Sequence, residues 1–320
     1  MMNTILKDNV LYEADSIVGV ADFPADTIHL ILSDIPYGIG ADDWDVLHNN
    51  TNSAYLGNSP AQQKAGAIFK KRGKPLNGWS KADKEIGKQY HDWCASWASS
   101  WFSVLVPGGN AIVFAGRRLA HQCILAMEEA GFTFKDMIGW DKYVAPLRAQ
   151  HVKVIFDKRN NVLSGEQWKD WRVGNLRPVF EPILWFVKPY KIGTTLADNI
   201  LSYGVGGYNS EILQKYGQEC NNLFRIQANK SDNGLHPTQK PLKLMELLIE
   251  LCTIENQLVL DPFCGSATSL LAAMKLKRRY IGFENNHDYY IKAKKRLEDE
   301  KANLDSDLFW NQSSDSAGEA

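Results

Sequence analysis

Apolar stretches alternate with segments of helical periodicity along much of this 320-residue chain. Residues 28–33 (IHLILS) are mostly apolar, which is typical of a strand buried on both faces of a sheet. Further strands are predicted at residues 9–14, 111–114, 134–140, 179–187, 258–260 and 280–283. Helices are predicted at residues 89–105, 119–130, 242–252, 267–276 and 288–297. This alternation predicts an α/β fold with a mainly parallel sheet and helices on both faces.

Three tryptophans recur at a spacing of four within the helix predicted at residues 89–105. Trp93, Trp97 and Trp101 therefore lie on one face of that helix. Such a stripe could serve as a platform for nucleobases, but it is more typical of core packing. We expect the three rings to belong to the core.

Long irregular stretches interrupt the alternating pattern at residues 41–90, 143–175 and 190–235. They are interpreted as insertions, because long loops in a compact α/β domain usually cover or bind a ligand. The remaining segments, residues 1–40, 91–142, 176–189 and 236–302, are assigned to one domain. The polar residues 303–320 are predicted to be a disordered tail.

Composition narrows the class of protein. No apolar run approaches the roughly 20 residues that cross a bilayer, and the N-terminus lacks a signal peptide, so we expect a cytoplasmic protein with no membrane contact. The five cysteines form no CxxC pair and are predicted to be buried thiols, without a metal site.

The net charge of −1 means that nucleic acid could be held only by a local basic surface. The candidates are Lys70, Lys71, Arg72 and Lys74, and the alternative is that these residues form a solvated loop.

A glycine-containing turn between a strand and a helix is the first candidate binding site. In VLDPFCGSATSLLAA (residues 259–273), Asp261 ends the strand, and Gly265 and Ser266 lie in the turn. Such a turn brings backbone N–H groups close to a ligand. Glu284, at the end of the next strand, can accept hydrogen bonds from the ribose of a nucleoside-containing cofactor. A structural turn is the alternative, and the single glycine disfavours a dinucleotide.

The second candidate site follows the apolar strand at residues 28–33. Asp34, Ile35, Pro36 and Tyr37 place a carboxylate, a rigid backbone and an aromatic ring at a strand end, where open α/β sheets bind ligands. This DIPY sequence resembles the Asp-Pro-Pro-Tyr motif of the DNA amino-methyltransferases, with Ile35 replacing the first proline. The Asp34 carboxylate and the Ile35 carbonyl can each accept an N–H of an exocyclic amine. Tyr37 can stack on the base.

Four other blocks resemble the same family: PGG and the following strand in residues 102–114, VFEPILWFVK at 179–188, HPTQKP at 236–241, and the cofactor loop. Because DIPY precedes the cofactor loop, the order resembles the beta group, a circular permutation of the seven-stranded class I S-adenosylmethionine-dependent methyltransferase fold. The resemblance implies S-adenosyl-L-methionine as cofactor, held by Asp15, Asp34, His236, Thr238, Gln239, Lys240, Asp261, Phe263, Gly265, Ser266, Glu284 and Asn285.

The resemblance also implies a substrate and partners. Double-stranded DNA would present a flipped adenine, the insertions would contact DNA and recognise the target sequence, and a restriction endonuclease partner and a homodimer are further expectations. Asp34 favours N6 of adenine, because the family tends to carry serine in that position for N4 of cytosine. RNA methylation, a dehydrogenase and a catalytically silent DNA-binding module are weaker alternatives.

Overall fold

The computed structural model describes residues 7–38, 81–143, 149–229 and 239–316. Their strands form a central sheet of eight strands and a separate sheet of two. The strands are β1 Val10–Glu13, β2 Ile28–Asp34, β3 Leu105–Phe114, β4 Thr133–Asp141, β5 Gln150–His151, β6 Arg172–Val173, β7 Phe180–Val187, β8 Leu223–Arg225, β9 Leu258–Asp261 and β10 Arg279–Glu284. The helices are α1 Ser16–Gly19, α2 Lys81–Val104, α3 Ala120–Glu129, α4 Val152–Asp157, α5 Val162–Gln167, α6 Leu196–Tyr203, α7 Glu211–Lys215, α8 Leu242–Cys252, α9 Thr268–Lys275 and α10 His287–Ser316.

The strand order of the central sheet is β1-β10-β9-β2-β3-β7-β4-β8. The two C-terminal strands thus lie between the two N-terminal strands, with Val10 opposite Ile281 and Leu30 opposite Val259. β7 runs antiparallel to both of its neighbours, and the other pairs are parallel. This arrangement confirms the predicted permuted methyltransferase fold.

Two apolar clusters cover the two faces of the sheet. One contains the buried faces of α8 and α9 together with Ala293 and Leu297 of α10. The other contains the buried faces of α2 and α3, which pack on Ile31, Val113 and Leu260 of the sheet. Because both faces are covered, β2 and β9 are buried along nearly their whole length, which accounts for their apolar sequences.

The tryptophan stripe is mostly core, as predicted. Trp97 and Trp101 are fully buried, whereas Trp93 is half-buried and its ring contacts Phe263. Helix α2 begins at Lys81, eight residues before its predicted start at 89. The apolar spacing continues upstream from Tyr90 to Ile86, both fully buried, so the boundary of the predicted insertion at 41–90 is corrected at its C-terminal end.

Two predicted insertions contain regular structure. Residues 190–235 contribute α6, α7 and also β8, which pairs in parallel with β4 and gives the sheet eight strands instead of the predicted seven. Strand β8 is only three residues long, so its sequence carries no clear period-two pattern. Residues 149–177 form a small unit of β5, β6, α4 and α5, called the β5–β6 module below.

Two smaller predictions are wrong. Helix α10 continues to Ser316, through most of the predicted disordered tail, as the extension of a helix that Ala293 and Leu297 anchor in the core. Cys220 is exposed in a turn before β8, whereas the other four cysteines are buried thiols as predicted. No helix in the described part of the chain is long and apolar enough to span a membrane.

Candidate active site

A cavity of about 280 Å³ lies at the carboxyl edge of the central sheet. Asp34, Asp261 and Glu284 end β2, β9 and β10, and these neighbouring parallel strands bring their last residues to the same edge. The cavity wall brings together the described members of the predicted site: Asp15, Asp34, Ile35, Pro36, Tyr37, Gln239, Lys240, Asp261, Phe263, Gly265, Ser266, Glu284 and Asn285.

The Asp34 carboxylate contacts two side-chain hydrogen-bond donors. The Tyr37 hydroxyl lies 2.9 Å from Asp34 Oδ1, and Lys240 Nζ donates to Oδ2 at 2.5 Å. The ammonium of Lys240 also lies 5.3 Å from the centre of the Tyr37 ring. Lys240 was predicted to help hold the cofactor, and the structure places its charge on Asp34.

Glu181 is a further member of this cluster that sequence analysis did not single out. Because β7 is antiparallel to β3, its first residues reach the carboxyl edge of the sheet. Glu181 Oε1 accepts from the Tyr37 hydroxyl at 2.5 Å and lies 3.2 Å from Lys240 Nζ, while Oε2 accepts from Lys142 at 2.5 Å. A buried carboxylate within the otherwise apolar strand FEPILWFV was the signal that could have found it.

Burial and neighbouring charges set the protonation of the cluster. Burial raises the pKa of Asp34, Lys240 opposes this shift, and the negative charge of Glu181 adds to it. The pKa of Glu181 falls to about 2, since Lys240 and Lys142 outweigh its burial. Burial and both carboxylates raise the pKa of Tyr37 well above its usual value, so its hydroxyl stays protonated.

The loop that carries Asp34 is fixed from two sides. The Tyr90 hydroxyl of α2 donates to the Pro36 carbonyl at 2.7 Å, and the Ile35 side chain is buried. On the other side Gly116 follows β3, and a Cβ at that position would lie 2.9 Å from Tyr37 Cβ. Glycine at 116 therefore leaves room for the tyrosine.

Asp261 has a largely architectural position in the cavity wall. It is buried and accepts hydrogen bonds from the Ser33 hydroxyl at 2.6 Å, from the Phe263 amide at 3.1 Å and from the Ser269 hydroxyl. These contacts tie the end of β2 to the loop after β9. Burial raises the pKa of Asp261 to about 7, although all three hydrogen bonds favour the ionised form.

Glu284 holds the glycine turn. The Gly265 amide donates to Glu284 Oε2 at 3.0 Å, and the Asn286 amide donates to Oε1 at 2.8 Å. Ala267, which directly precedes α9, has the left-handed backbone that favours glycine, with φ 57°. This conformation costs an alanine about 1–2 kcal/mol, and the turn keeps its shape without the glycine.

Two polar side chains of the cavity wall lack hydrogen-bond partners among the described residues. They are the Ser16 hydroxyl and the Gln239 side-chain amide, whose polar atoms are buried. Buried polar groups are nearly always paired, so these atoms mark positions where a polar ligand fits. Together with the Glu284 carboxylate and the Phe263 and Trp93 rings, they suit a ligand that combines a nucleoside with an amino-acid part.

Some predicted residues cannot be placed. The predicted cofactor residues His236 and Thr238, and the predicted DNA contacts Lys70, Lys71, Arg72 and Lys74, lie outside the described residues. Residues that line the cavity without having been predicted include Ser16, Ile17, Trp93, Met245, Phe283 and Tyr289. Ser16 directly follows Asp15, and its position after a strand end was the available sequence signal.

Comparison with known proteins shows the family to which the chain belongs. The model of the DNA methylase family of N6 and N4 type matches residues 28–295. The type II methyltransferase M.HindIII of Haemophilus influenzae is 50% identical over 298 residues, which cover 92% of this chain and 96% of that protein. Among solved structures, the M1.HpyAVI–SAM complex has a TM-score of 0.50 at 22% identity, covering 90% of this chain and 98% of that one. The cytosine-N4-specific PvuII DNA methyltransferase has a TM-score of 0.55 at 17% identity, covering 90% and 85%.

The chain belongs to the DNA amino-methyltransferase family. It is a DNA methyltransferase with the class I fold, and S-adenosyl-L-methionine is its methyl donor.

Proposed function

We propose that the protein methylates N6 of adenine at specific sites in double-stranded DNA. The observation that carries the proposal is the Asp34 carboxylate, which stands at the end of β2 in the wall of the cavity and beside the ring of Tyr37. A carboxylate in this position can accept an N–H of an exocyclic amine, which a serine cannot do with a full negative charge.

The chain's own groups would activate the amine by orientation and electrostatics. The adenine N6 lone pair is delocalised into the ring, which makes the nitrogen a poor nucleophile. Hydrogen bonds to Asp34 and to the Ile35 carbonyl favour a pyramidal nitrogen, with the lone pair directed into the cavity. Pro36 restricts Ile35 to extended backbone, and Tyr90 holds the Pro36 carbonyl, so both acceptors are fixed in place.

We infer the roles of individual residues in holding the cofactor from their places in the cavity wall. Glu284 would accept from ribose hydroxyls, Phe263 and Trp93 would contact the adenine ring, and Asp15 and Gln239 would contact polar groups at the ends of the molecule. When bound, S-adenosyl-L-methionine supplies an electrophilic methyl group on a sulfonium. His236 and Thr238, in the HPTQKP segment, remain proposed members of the same site.

A base within a duplex cannot reach this cavity, so the target base would be flipped out at a cost of a few kcal/mol. Stacking on an aromatic side chain contributes about 1–3 kcal/mol per base and can offset much of that cost. Tyr37 is the proposed stacking residue. Its hydroxyl lies 2.5 Å from Glu181 and 2.9 Å from Asp34, which fixes the direction of the long axis of the side chain.

The β5–β6 module is a proposed DNA-contacting surface. It connects β4 to β7, so it emerges beside Lys142 and Glu181 at the carboxyl edge of the sheet. Trp168 and Trp171 are exposed and pack edge to face at 4.9 Å. Exposed basic side chains in the same module can meet phosphates: Lys158, Arg159, Lys169 and Arg177.

The other expected DNA contacts are residues 190–235 for target recognition and Lys70, Lys71, Arg72 and Lys74. A restriction endonuclease partner and a homodimer are further expectations from the family. N4 of cytosine is the second candidate target, because the cytosine-N4-specific PvuII DNA methyltransferase has the same fold. A catalytically silent DNA-binding module is the third candidate.

The experiment is expression of the chain in a bacterial host that lacks DNA methylation, followed by sequencing that maps modified bases across the genome. We expect modified adenine within one short sequence. Modified cytosine would replace the adenine assignment by the cytosine one, and an unmodified genome would favour the silent module.

A further inference from the structure

We propose that Glu181 is a positioning residue for methyl transfer: it takes the Lys240 ammonium and the Tyr37 hydroxyl from Asp34, so that the Asp34 carboxylate can receive the target amine. The inference rests on the proposed function, because it concerns how Asp34 becomes available to that amine.

The contacts of Asp34 show why such a residue is needed. Its two oxygens already face the Tyr37 hydroxyl at 2.9 Å and the Lys240 ammonium at 2.5 Å. An ammonium paired with Asp34 competes with an incoming N–H for the same oxygen and neutralises the charge that makes it a strong acceptor. For Asp34 to accept an N–H of the target amine with its full negative charge, the Lys240 ammonium must therefore pair with another group.

Glu181 provides that place within hydrogen-bonding reach. Its Oε1 atom is 3.2 Å from Lys240 Nζ, so a small displacement of the ammonium transfers the ion pair from one carboxylate to the other. Tyr37 has one hydroxyl hydrogen and faces two acceptors. Glu181 is the nearer acceptor, at 2.5 Å against 2.9 Å for Asp34. The hydrogen is therefore donated to Glu181, which leaves Asp34 Oδ1 without it.

Charge balance keeps Glu181 ready for this role. Lys142 donates to its other oxygen at 2.5 Å, and together the two lysines hold the pKa of Glu181 at about 2. Glu181 is therefore negative at every working pH. The cluster contains two ammonium groups and two carboxylates, and loss of the Glu181 charge would strengthen the hold of Asp34 on Lys240.

A merely structural role would consist of tying β4 to β7 through the Lys142–Glu181 ion pair. That role predicts similar defects for Glu181→Gln and Lys142→Met, because either change breaks the ion pair. Positioning predicts different defects, because Lys142→Met leaves the Glu181 carboxylate in place to accept from Lys240 and Tyr37.

A matched control exists elsewhere in the fold. Glu250 of α8 accepts from Lys215 at 2.7 Å and from the Tyr216 hydroxyl at 2.7 Å, so it has the same kinds of partner as Glu181. Glu250 does not line the cavity. Glu250→Gln therefore controls for the loss of a lysine- and tyrosine-bonded carboxylate as such.

The experiment measures single-turnover methyl transfer to a duplex oligonucleotide that carries the mapped site, from pH 5 to 9, together with S-adenosyl-L-methionine affinity by calorimetry. Melting temperatures verify folding. The proteins are the wild type, Glu181→Gln, Glu181→Asp, Lys142→Met and Glu250→Gln.

We expect Glu181→Gln to slow transfer about 100-fold, the scale of a misplaced reacting group, with cofactor affinity within about threefold of wild type. The acid limb of the pH–rate profile of Glu181→Gln should move to lower pH, because this variant lacks the negative charge that raises the pKa of Asp34. Glu181→Asp should recover only part of the rate that Glu181→Gln loses. Lys142→Met should lose at least tenfold less than Glu181→Gln, and Glu250→Gln should match the wild type.

Equal losses in Glu181→Gln and Lys142→Met, an unmoved acid limb, or a Glu181→Gln rate within threefold of wild type would overturn the inference while leaving the proposed function intact. A wild-type protein that transfers no methyl group to adenine would overturn both. If Glu181→Gln does not fold, Glu181→Asp decides, because its shorter side chain withdraws the carboxylate from Lys240: a rate below wild type with an acid limb moved to lower pH supports positioning, and a wild-type rate with an unmoved acid limb contradicts it.

Discussion

The Lys240 ammonium and the Asp34 carboxylate meet at 2.5 Å although 206 residues separate them in the chain. One follows the buried strand β2, and the other precedes helix α8. The permuted sheet brings them together because β9 inserts next to β2 and carries α8 with it. The ion pair thus joins the two halves of the chain at the point where we propose that the target amine is bound.

Asp34→Asn should abolish most methyl transfer while retaining the cofactor. Asparagine keeps the shape but loses the negative charge, so we expect a loss of about 10²- to 10³-fold, the range for one preorganised electrostatic contact. Single-turnover transfer and calorimetric cofactor affinity measure the two effects. Asp26→Asn is the control, because Asp26 forms a 2.7 Å ion pair with the largely buried Lys188 at the opposite end of β2. A rate within tenfold of wild type would contradict the role of Asp34.

Glu284→Gln should weaken S-adenosyl-L-methionine binding by roughly tenfold or more, since hydrogen bonds to a charged acceptor contribute about 1.5–3 kcal/mol. The variant also weakens the acceptor of the Gly265 amide. Glu13→Gln is the control: Glu13 pairs with Glu284 in the sheet register but lies outside the cavity wall. Equal affinities for the two variants would argue against a ribose contact.

Ser16→Ala should change stability and binding in opposite directions. The Ser16 hydroxyl is buried without a described partner, so its removal should raise the free energy of unfolding of the ligand-free protein by about 1 kcal/mol. Cofactor affinity should fall, because Ser16 lines the cavity and its hydroxyl is free to bond a polar ligand there. Ser100→Ala serves as the comparison, as its hydroxyl donates to the Trp97 carbonyl. A variant that is less stable and binds the cofactor normally would show that the hydroxyl has a structural role only.

Asp261 should make stability depend on pH in an unusual direction. Its pKa in the folded protein is about 7, above the ordinary value of 3.8, so the folded state binds the proton more tightly than the unfolded state. The contribution of Asp261 is therefore complete at low pH and is lost as pH rises through 7. Between pH 5 and 8, wild type should lose about 2–3 kcal/mol relative to Asp261→Asn. Urea unfolding at several pH values measures this, and parallel curves would contradict it.

The β5–β6 module should contribute to DNA affinity and leave cofactor affinity unchanged. Replacing Lys158 and Arg159 by alanine should weaken binding to all duplexes and reduce the salt slope by about 1 for each lost phosphate contact. Fluorescence anisotropy over a salt series provides the measurement. Lys277→Ala is the control, because Lys277 precedes β10 at the opposite edge of the sheet. An unchanged salt slope in the double variant would exclude the module as a phosphate-binding surface.

Much of the fold could be predicted, because the signals were local. The buried strands β2 and β9 are apolar along their length, and helix α8 begins and ends where its periodicity predicted, at Leu242 and Cys252. Strand β8 and the upstream part of α2 were missed. The first is held by pairing with β4, which no local pattern encodes, and the second precedes the tryptophan stripe with only Ile86 and Tyr90 as apolar guides.

The positions of candidate site residues were predictable from sequence where the residue stands at the end of an apolar strand. Asp34 and Glu284 each follow an apolar strand, and that placement alone indicates the carboxyl edge of a sheet. Glu181 and Lys142 could not be assigned in this way, because their roles depend on the antiparallel pairing of β4 with β7. The Lys240 charge was expected at the cofactor, and only the three-dimensional arrangement places it on Asp34.

The central claim, transfer to N6 of adenine at Asp34, is tested most directly by nucleoside analysis. Purified protein is incubated with methyl-labelled S-adenosyl-L-methionine and unmodified duplex DNA of mixed sequence, and the digested nucleosides are separated by mass spectrometry. The account predicts labelled N6-methyl-2′-deoxyadenosine from the wild type and almost none from Asp34→Asn. Labelled N4-methyl-2′-deoxycytidine, or equal label from both proteins, would contradict it.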